Sequence, residues 1–293
     1  MRIAVVGAGG QLGAAVVDEC APDHDLVTLT RETLDVTDRG AVAAMIDRAR
    51  PDAIVNCAAF NDVDAAEDRP VDVLAVNAFA VRALARAAER VNAILVHYGT
   101  DFVFDGTAST PYTEADRPSP RSVYGASKML GEWFALDAPR GYVLRVESLF
   151  GRAAGGPPAK GSAATIASAL LAGSAPKVFV DRTVSPTYVV DAARATRHLL
   201  ERQPERGIYH CVNSGQCTWL EFAQELAREL GVEARVTQVK MADVPLRAQR
   251  PQFCALSNEK LRRAGFDMPT WRDALGRYAS TLTAPPIATK TRK

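Results

Sequence analysis

The first thirteen residues, Met1-Arg2-Ile3-Ala4-Val5-Val6-Gly7-Ala8-Gly9-Gly10-Gln11-Leu12-Gly13, govern how the rest of the chain is read. Residues 3–6 form a short apolar run of the kind that makes a buried strand. Glycines follow at positions 7, 9, 10 and 13, and a helical pattern opens among them and runs to about residue 17. Glycine there allows a tight turn and lets a ligand's pyrophosphate lie against bare backbone. The helix N-terminus adds free N–H groups and partial positive charge. A glycine triplet alone is also an ordinary turn. Its place directly after an N-terminal strand predicts a dinucleotide site.

Outward from that loop, strands and helices alternate. Residues 26–30, 53–57, 94–98 and 142–145 read as strands. Residues 41–50, 72–91 and 123–136 read as the helices between them. Alternation of this kind implies parallel β-α-β units with helices on both faces of one sheet. After Phe150 the texture changes. Residues 151–161 are a Gly/Pro/Ala loop. Helices are expected at 165–173, 189–200, 219–230 (stopped by Gly231), 256–264 and 271–280, and strands at 178–180 and 207–212. The predicted fold is α/β: a Rossmann-type doubly wound parallel sheet with a smaller C-terminal substrate-binding lobe. Residues 1–150 form the NAD(P)-binding domain, with segments near 187–212 returning to it. Residues 151–280 form mainly the second lobe, and 281–293 read as a disordered tail.

Composition removes several classes of function. The 293 residues carry 35 basic and 34 acidic side chains, a net charge of +1, and 47% hydrophobic residues. No polyanion-binding surface is indicated, so nucleic acid is not an expected partner. No run reaches the ~18 apolar residues needed to span a bilayer, and no signal peptide is legible. The cytoplasm is the expected compartment. The five cysteines (20, 57, 211, 217, 254) contain no C-x-x-C, and the four histidines (24, 97, 198, 210) no H-x-x-x-H. Neither a disulfide framework nor a metal site built by the protein is expected.

Tyr124-Gly125-Ala126-Ser127-Lys128 puts a phenol and an ammonium four residues apart on one helix face. A phenol's pKa near ~10 is too high for proton traffic at neutral pH. An ammonium ~4 Å away, at an effective dielectric of ~20, offers ~4 kcal/mol and so lowers that pKa by up to ~3. Such a tyrosine can act as a general acid. Thr100 follows the predicted strand 94–98. In a parallel sheet the carboxyl end of a strand borders the ligand crevice, so Thr100 can polarise a substrate carbonyl there. Arg31 stands at the end of the second strand, where an acidic residue would accept from the ribose 2′-OH of NAD. An Arg there can pair with the 2′-phosphate of NADP, which favours NADPH, with NADH as the alternative.

Several stretches together resemble the extended short-chain dehydrogenase/reductases, and within them the dTDP-4-dehydrorhamnose reductases. They are Gly-Gly-Gln-Leu-Gly at 9–13, Leu-Asp-Val-Thr-Asp at 34–38, Val-Asn-Cys-Ala-Ala at 55–59 and Val-Asp-Ala-Ala-Glu at 63–67. Thr-Asp-Phe-Val-Phe-Asp-Gly at 100–106, Val-Tyr-Gly-Ala-Ser-Lys at 123–128, Ser-Pro-Thr at 185–187, Gly-Ile-Tyr-His at 207–210 and Arg-Pro-Gln-Phe-Cys-Ala-Leu-Ser at 250–257 continue it. The resemblance covers nearly all of residues 1–280. It implies reduction of the C4 keto group of a nucleotide-linked 6-deoxysugar by NAD(P)H, through a Thr100–Tyr124–Lys128 triad. Tyr124 would protonate the C4 oxygen. Lys128 would hold the nicotinamide ribose and lower the Tyr124 pKa. Gly7, Gly10, Gln11, Leu12 and Gly13 would border the pyrophosphate. Arg31 would lie by the ribose, Asp35 and Val36 by the adenine, and Ala58 and Ala59 close to the cofactor. Asn77 matches an Asn that helps shape the site. Asp101, Phe102, Leu149 and Arg182 are the candidate substrate contacts, Arg182 for the substrate diphosphate. A homodimer is expected by analogy alone.

The resemblance also separates neighbours. Sugar-nucleotide dehydratases place Glu where this chain has Phe102, which cannot transfer a proton, so dehydration is disfavoured. The rhamnose reductases often carry Tyr at that position and a Trp near the fifth strand, where this chain reads Val146-Glu147-Ser148-Leu149-Phe150-Gly151. Another nucleotide sugar therefore stays open as substrate. Two other readings stay open: a nucleotide-sugar epimerase, and a cofactor-binding module without catalysis, like the regulatory subunit of methionine adenosyltransferase.

Overall fold

The computed structural model describes residues 1–283. Its frame is a six-stranded sheet built from β1 (Arg2–Val6), β2 (Asp25–Leu29), β3 (Ala53–Asn56), β4 (Ile94–Thr100), β5 (Gly141–Val146) and, from much later in the chain, Gly207–His210. All strands are parallel, in the order β2-β1-β3-β4-β5 and then Gly207–His210 at the edge. β3, β4 and β5 are buried along their whole lengths. That is why they read as continuous apolar runs and not as alternating ones.

Helices cover both faces. On one lie α1 (Gln11–Cys20) and a late helix, Val189–Arg202, packed on Ile3, Val5, Val55, Val96 and Leu144. On the other lie α2 (Arg39–Ala49), a helix over Ala80–Val91 and another over Val123–Leu136, packed on Ala4, Ile54, Leu95 and Val143. Alternate residues of each strand thus feed the two cores.

The expected helix over 72–91 runs without a gap from Pro70 to Val91 but carries a π-helical turn. α3 (Val63–Asp68) and α4 (Pro70–Leu74) precede a π-helical turn at Ala75–Phe79, and α5 (Ala80–Val91) follows. Asn77 lies within this turn, and its buried side chain bonds to another segment. The next helix, α6 (Val123–Leu136), has the predicted bounds, with the Ser122 side chain accepting from Gly125 N as its N-cap.

The second lobe comprises β6 (Leu149–Phe150), α7 (Ser162–Leu171), β7 (Lys177–Phe179), β8 (Thr183–Val184) and β9 (Thr187–Tyr188). α8 (Val189–Arg202) and β10 (Gly207–His210) return to the first sheet, and β11 (Cys217–Thr218), α9 (Trp219–Leu230), β12 (Thr237–Val239), α10 (Glu259–Arg263) and α11 (Trp271–Thr283) complete the chain. Phe150, Trp219, Phe222, Trp271 and Tyr278 fill its core. The helix expected at 256–264 shortens to α10. Its first residues are extended instead, because Leu256 bridges to Tyr112 and Ser257 N donates to Tyr112 O. Residues 281–283 of the expected tail continue α11, and the rest of it, 284–293, lies outside the described residues. All five cysteines are free thiols. No helix among the described residues is long and apolar enough to cross a membrane.

Candidate active site

The strand order reverses between β1 and β3, since β2 lies outside β1 while β3 lies on its other side. In open parallel sheets the crevice beyond the carboxyl ends at such a point takes the ligand. The glycine loop after β1 and residues 57–59 after β3 flank it. Their approach is close: a Cβ on Gly7 would stand 2.7 Å from Ala58 N, and one on Gly13 2.2 Å from Gly7 O. Gly10 caps α1 without a side-chain hydrogen bond, which leaves the first N–H groups of that helix to a ligand. A side-chain-free cradle at a helix N-terminus fits a dinucleotide pyrophosphate. Gln11 is turned elsewhere: its Nε2 donates to Gly151 O at 2.6 Å and its Oε1 accepts from Lys160 N at 3.1 Å, tying residues 151–160 against α1. Leu12 is buried in the core beneath the loop.

Arg31 is exposed just past β2. Asp35 is exposed beside it and accepts from Thr37 N and Oγ1, and these bonds hold its carboxyl below the usual range. Val36 packs partly into the core. Ala58 N donates to Asn56 Oδ1 at 3.1 Å, and Ala59 is half-buried next to it.

Thr100 is the last residue of β4, which runs two residues further than expected. Its hydroxyl donates to Asp101 Oδ1 at 3.1 Å and accepts from Phe102 N at 3.3 Å. Tyr124 and Lys128 stand on α6, and all three side chains are buried. Gly125 makes their approach to β4 feasible, because a Cβ there would meet Phe102 O at 2.3 Å. The Phe102 ring packs edge-on to Tyr124, with centroids 5.4 Å apart.

Lys128 does not act on Tyr124 as the spacing predicts. Its ammonium donates to the Tyr98 carbonyl at 2.5 Å, and burial pulls its pKa down to about 8. The Tyr124 phenol is pushed up, first by burial and then by the charge of Asp101, against a hydrogen bond from Thr100. Four-residue spacing sets a common face but not where a long lysine chain reaches.

Asn77 joins the segment after β3 to α6. Its Oδ1 accepts from Phe60 N at 2.8 Å, and its Nδ2 donates to Phe60 O and to Ser127 Oγ, each at 3.0 Å.

Arg182 is not a surface side chain. It is buried over the Phe102 ring, 5.5 Å from its centroid, with Nη2 3.9 Å from Asp101 Oδ2. Leu149 is half-buried in β6, paired with Thr187 of β9. Sequence reasoning missed Glu147 and Cys254, which join Asp101 and Arg182 underneath the catalytic residues. Atoms of Asp101, Glu147 and Cys254 lie within 4.8 Å of one another. One signal existed: Glu147 is the lone acid in the mostly apolar stretch Tyr142–Phe150, just past the carboxyl end of β5.

Comparison with known proteins places the whole chain in a family. The chain is 36% identical to the dTDP-4-dehydrorhamnose reductase of Burkholderia thailandensis, over 94% of this chain and 97% of that one. It is 35% identical to that of Mycobacterium tuberculosis, over 98% and 94%. The crystal structure of dTDP-4-dehydrorhamnose reductase from Bacillus anthracis in complex with NADP superposes with a TM-score of 0.89 at 31% identity, covering 96% of this chain and 99% of that one. The RmlD substrate binding domain family matches residues 1–284, and the chain belongs to that family.

Proposed function

We propose that the protein is an NADPH-dependent reductase of the C4 keto group of a nucleotide-linked 6-deoxysugar, the activity for which its dTDP-4-dehydrorhamnose reductase relatives are named. The observation that carries the reading is the meeting of Thr100, Tyr124 and Lys128 at the end of β4, next to the glycine cradle at the switch point of the sheet. Bound NADPH supplies the hydride. The chain supplies the rest. Tyr124, held as a neutral phenol by burial, gives its proton to the C4 oxygen as the carbonyl becomes an alcohol. Thr100 donates a hydrogen bond to the same oxygen. Lys128, fixed to the Tyr98 carbonyl, holds the nicotinamide ribose. Gly7, Gly10 and Gly13 receive the pyrophosphate, and Arg31 meets the 2′-phosphate. Phe102, whose ring carries no transferable proton, leaves reduction as the chemistry in place of dehydration.

The test is NADPH oxidation with freshly generated dTDP-4-keto-6-deoxy-L-sugar, using Tyr124→Phe as the control. Oxidation that dies in the variant, with NADPH binding retained, supports the reading. Tight NADPH binding without oxidation of this or other 4-keto sugar nucleotides would replace it with a binding module lacking catalysis.

A further inference from the structure

Four buried groups beneath Tyr124 have no role in that mechanism. Asp101 and Glu147 are two carboxyls from the ends of adjacent strands, β4 and β5. One oxygen of each is satisfied: Asp101 Oδ1 by the Thr100 hydroxyl at 3.1 Å, Glu147 Oε2 by Ser185 N at 2.6 Å. The other two, Asp101 Oδ2 and Glu147 Oε1, are buried with no hydrogen-bond partner. Asp101 and Glu147 offer oxygens within 4.8 Å of each other. Among the described residues one positive group pairs with them, the Arg182 guanidinium, 3.9 Å from Asp101 Oδ2. The remaining neighbour, Cys254, is a thiol that burial keeps neutral. Cys217, also neutral through burial, lies beyond Glu147.

Two buried carboxylates against one guanidinium leave a charge in excess, which a low-dielectric interior does not tolerate. Two buried carboxyl oxygens without a hydrogen-bond partner are equally unfavourable. One proton resolves both. We propose that Glu147 is a positioning residue of this reductase: its carboxyl carries a proton, shares it with Asp101, and so limits how strongly Asp101 holds the Thr100 hydroxyl. The inference rests on the reductase reading above.

The consequence for Tyr124 follows from the competition for that hydroxyl. An unshared Asp101 carboxylate draws the Thr100 proton to itself and places a full negative charge beside the phenol. Both effects oppose formation of the phenolate when Tyr124 gives up its proton. With the proton of Glu147 shared, Thr100 is free to turn its own proton to the developing phenolate or to the C4 oxygen. Burial raises the pKa of both carboxyls, and the Asp101 charge raises that of Glu147 further, as a shared proton requires. A divalent cation in their place would stand against the guanidinium already there.

Two variants separate this role from simple packing. Glu147→Gln keeps a donor toward Asp101 and an acceptor toward Ser185 N. Glu147→Ala removes both. The expected result is kcat within ~2-fold of the parent for Gln and reduced ~10-fold or more for Ala, with the NADPH dissociation constant unchanged in both. The pH profile of the parent should fall on the alkaline side as the shared proton is lost, and Gln should lack that contribution. Independently of turnover, the parent should show the infrared carbonyl stretch of a protonated carboxyl, shifted in D2O and absent in Glu147→Gln. Absence of that band in the folded parent overturns the inference whatever the enzyme does. Equal losses in Gln and Ala, with parallel losses of stability, overturn it as well. Failure of the parent to oxidise NADPH with the band present overturns the reductase reading instead.

Discussion

The Lys128 ammonium and the Tyr98 carbonyl oxygen stand 2.5 Å apart, so the helix α6 is pinned to the strand β4 by the charge that, in the proposed mechanism, also holds the cofactor ribose. Burial lowers the pKa of that ammonium to about 8, opposed by the nearby Glu132 carboxylate. The charge is therefore lost as pH rises through about 8. kcat/KM for NADPH should fall above that pH, and Lys128→Arg should remove the limb because guanidinium keeps its charge. The stability effect has the opposite sign. A folded-state pKa below the ordinary 10.5 means that the buried charge costs stability at pH 7, a cost relieved between about 8 and 10.5. Lys128→Met should be inactive yet more stable than the parent at pH 7 by urea denaturation, the gain shrinking toward pH 10.

Tyr124→Phe should retain NADPH binding and lose ~10²- to 10⁴-fold in kcat, the range for a lost general acid. The ring still packs edge-on against Phe102, so the melting temperature should move little. Stopped-flow absorbance gives the first number and calorimetry the second.

Gly13→Ala places a methyl group 2.2 Å from Gly7 O and 2.9 Å from Ala8 Cα, both backbone atoms that cannot give way cheaply. The glycine loop must shift. Fluorescence titration should show NADPH binding abolished, and Gly9→Ala serves as the control, since its nearest neighbour is the Thr30 side chain at 3.7 Å.

Arg31→Ala should weaken NADPH roughly 10- to 100-fold while leaving NADH nearly unchanged, the worth of a charge-assisted bond to the 2′-phosphate. Arg31 is exposed, so no loss of stability should accompany the switch. Equal loss for both cofactors would remove Arg31 from the phosphate site.

Glu132 and Arg145 make a buried bidentate pair between α6 and β5, with Nη2–Oε2 at 2.8 Å and Nε–Oε1 at 3.0 Å. Glu132→Ala strands the guanidinium in the core and should cost about 3–5 kcal/mol in chemical denaturation. Because α6 carries Tyr124 and Lys128, activity should fall with it.

Much of this protein was legible in local strings of residues. The strand, glycine loop and helix of residues 2–20 and the Thr100-Asp101-Phe102 run each span residues whose covalent spacing already sets their geometry, and the Tyr124–Lys128 spacing sets a shared helix face. Apolar runs placed the parallel strands, because a strand buried on both faces is mostly apolar. What only the tertiary structure decided depends on segments far apart in the chain. Asn77, in the π-helical turn of the long helix, bonds through its amide to Phe60 and Ser127, 17 and 50 residues away. Lys128 turns to the carbonyl of Tyr98, not to the phenol four residues before it. Asp101, Glu147, Arg182 and Cys254 converge only because residues 182–188 and 250–257 fold back beneath the ends of β4 and β5. Which charge is buried beside which is set by packing, and burial is what moves their protons.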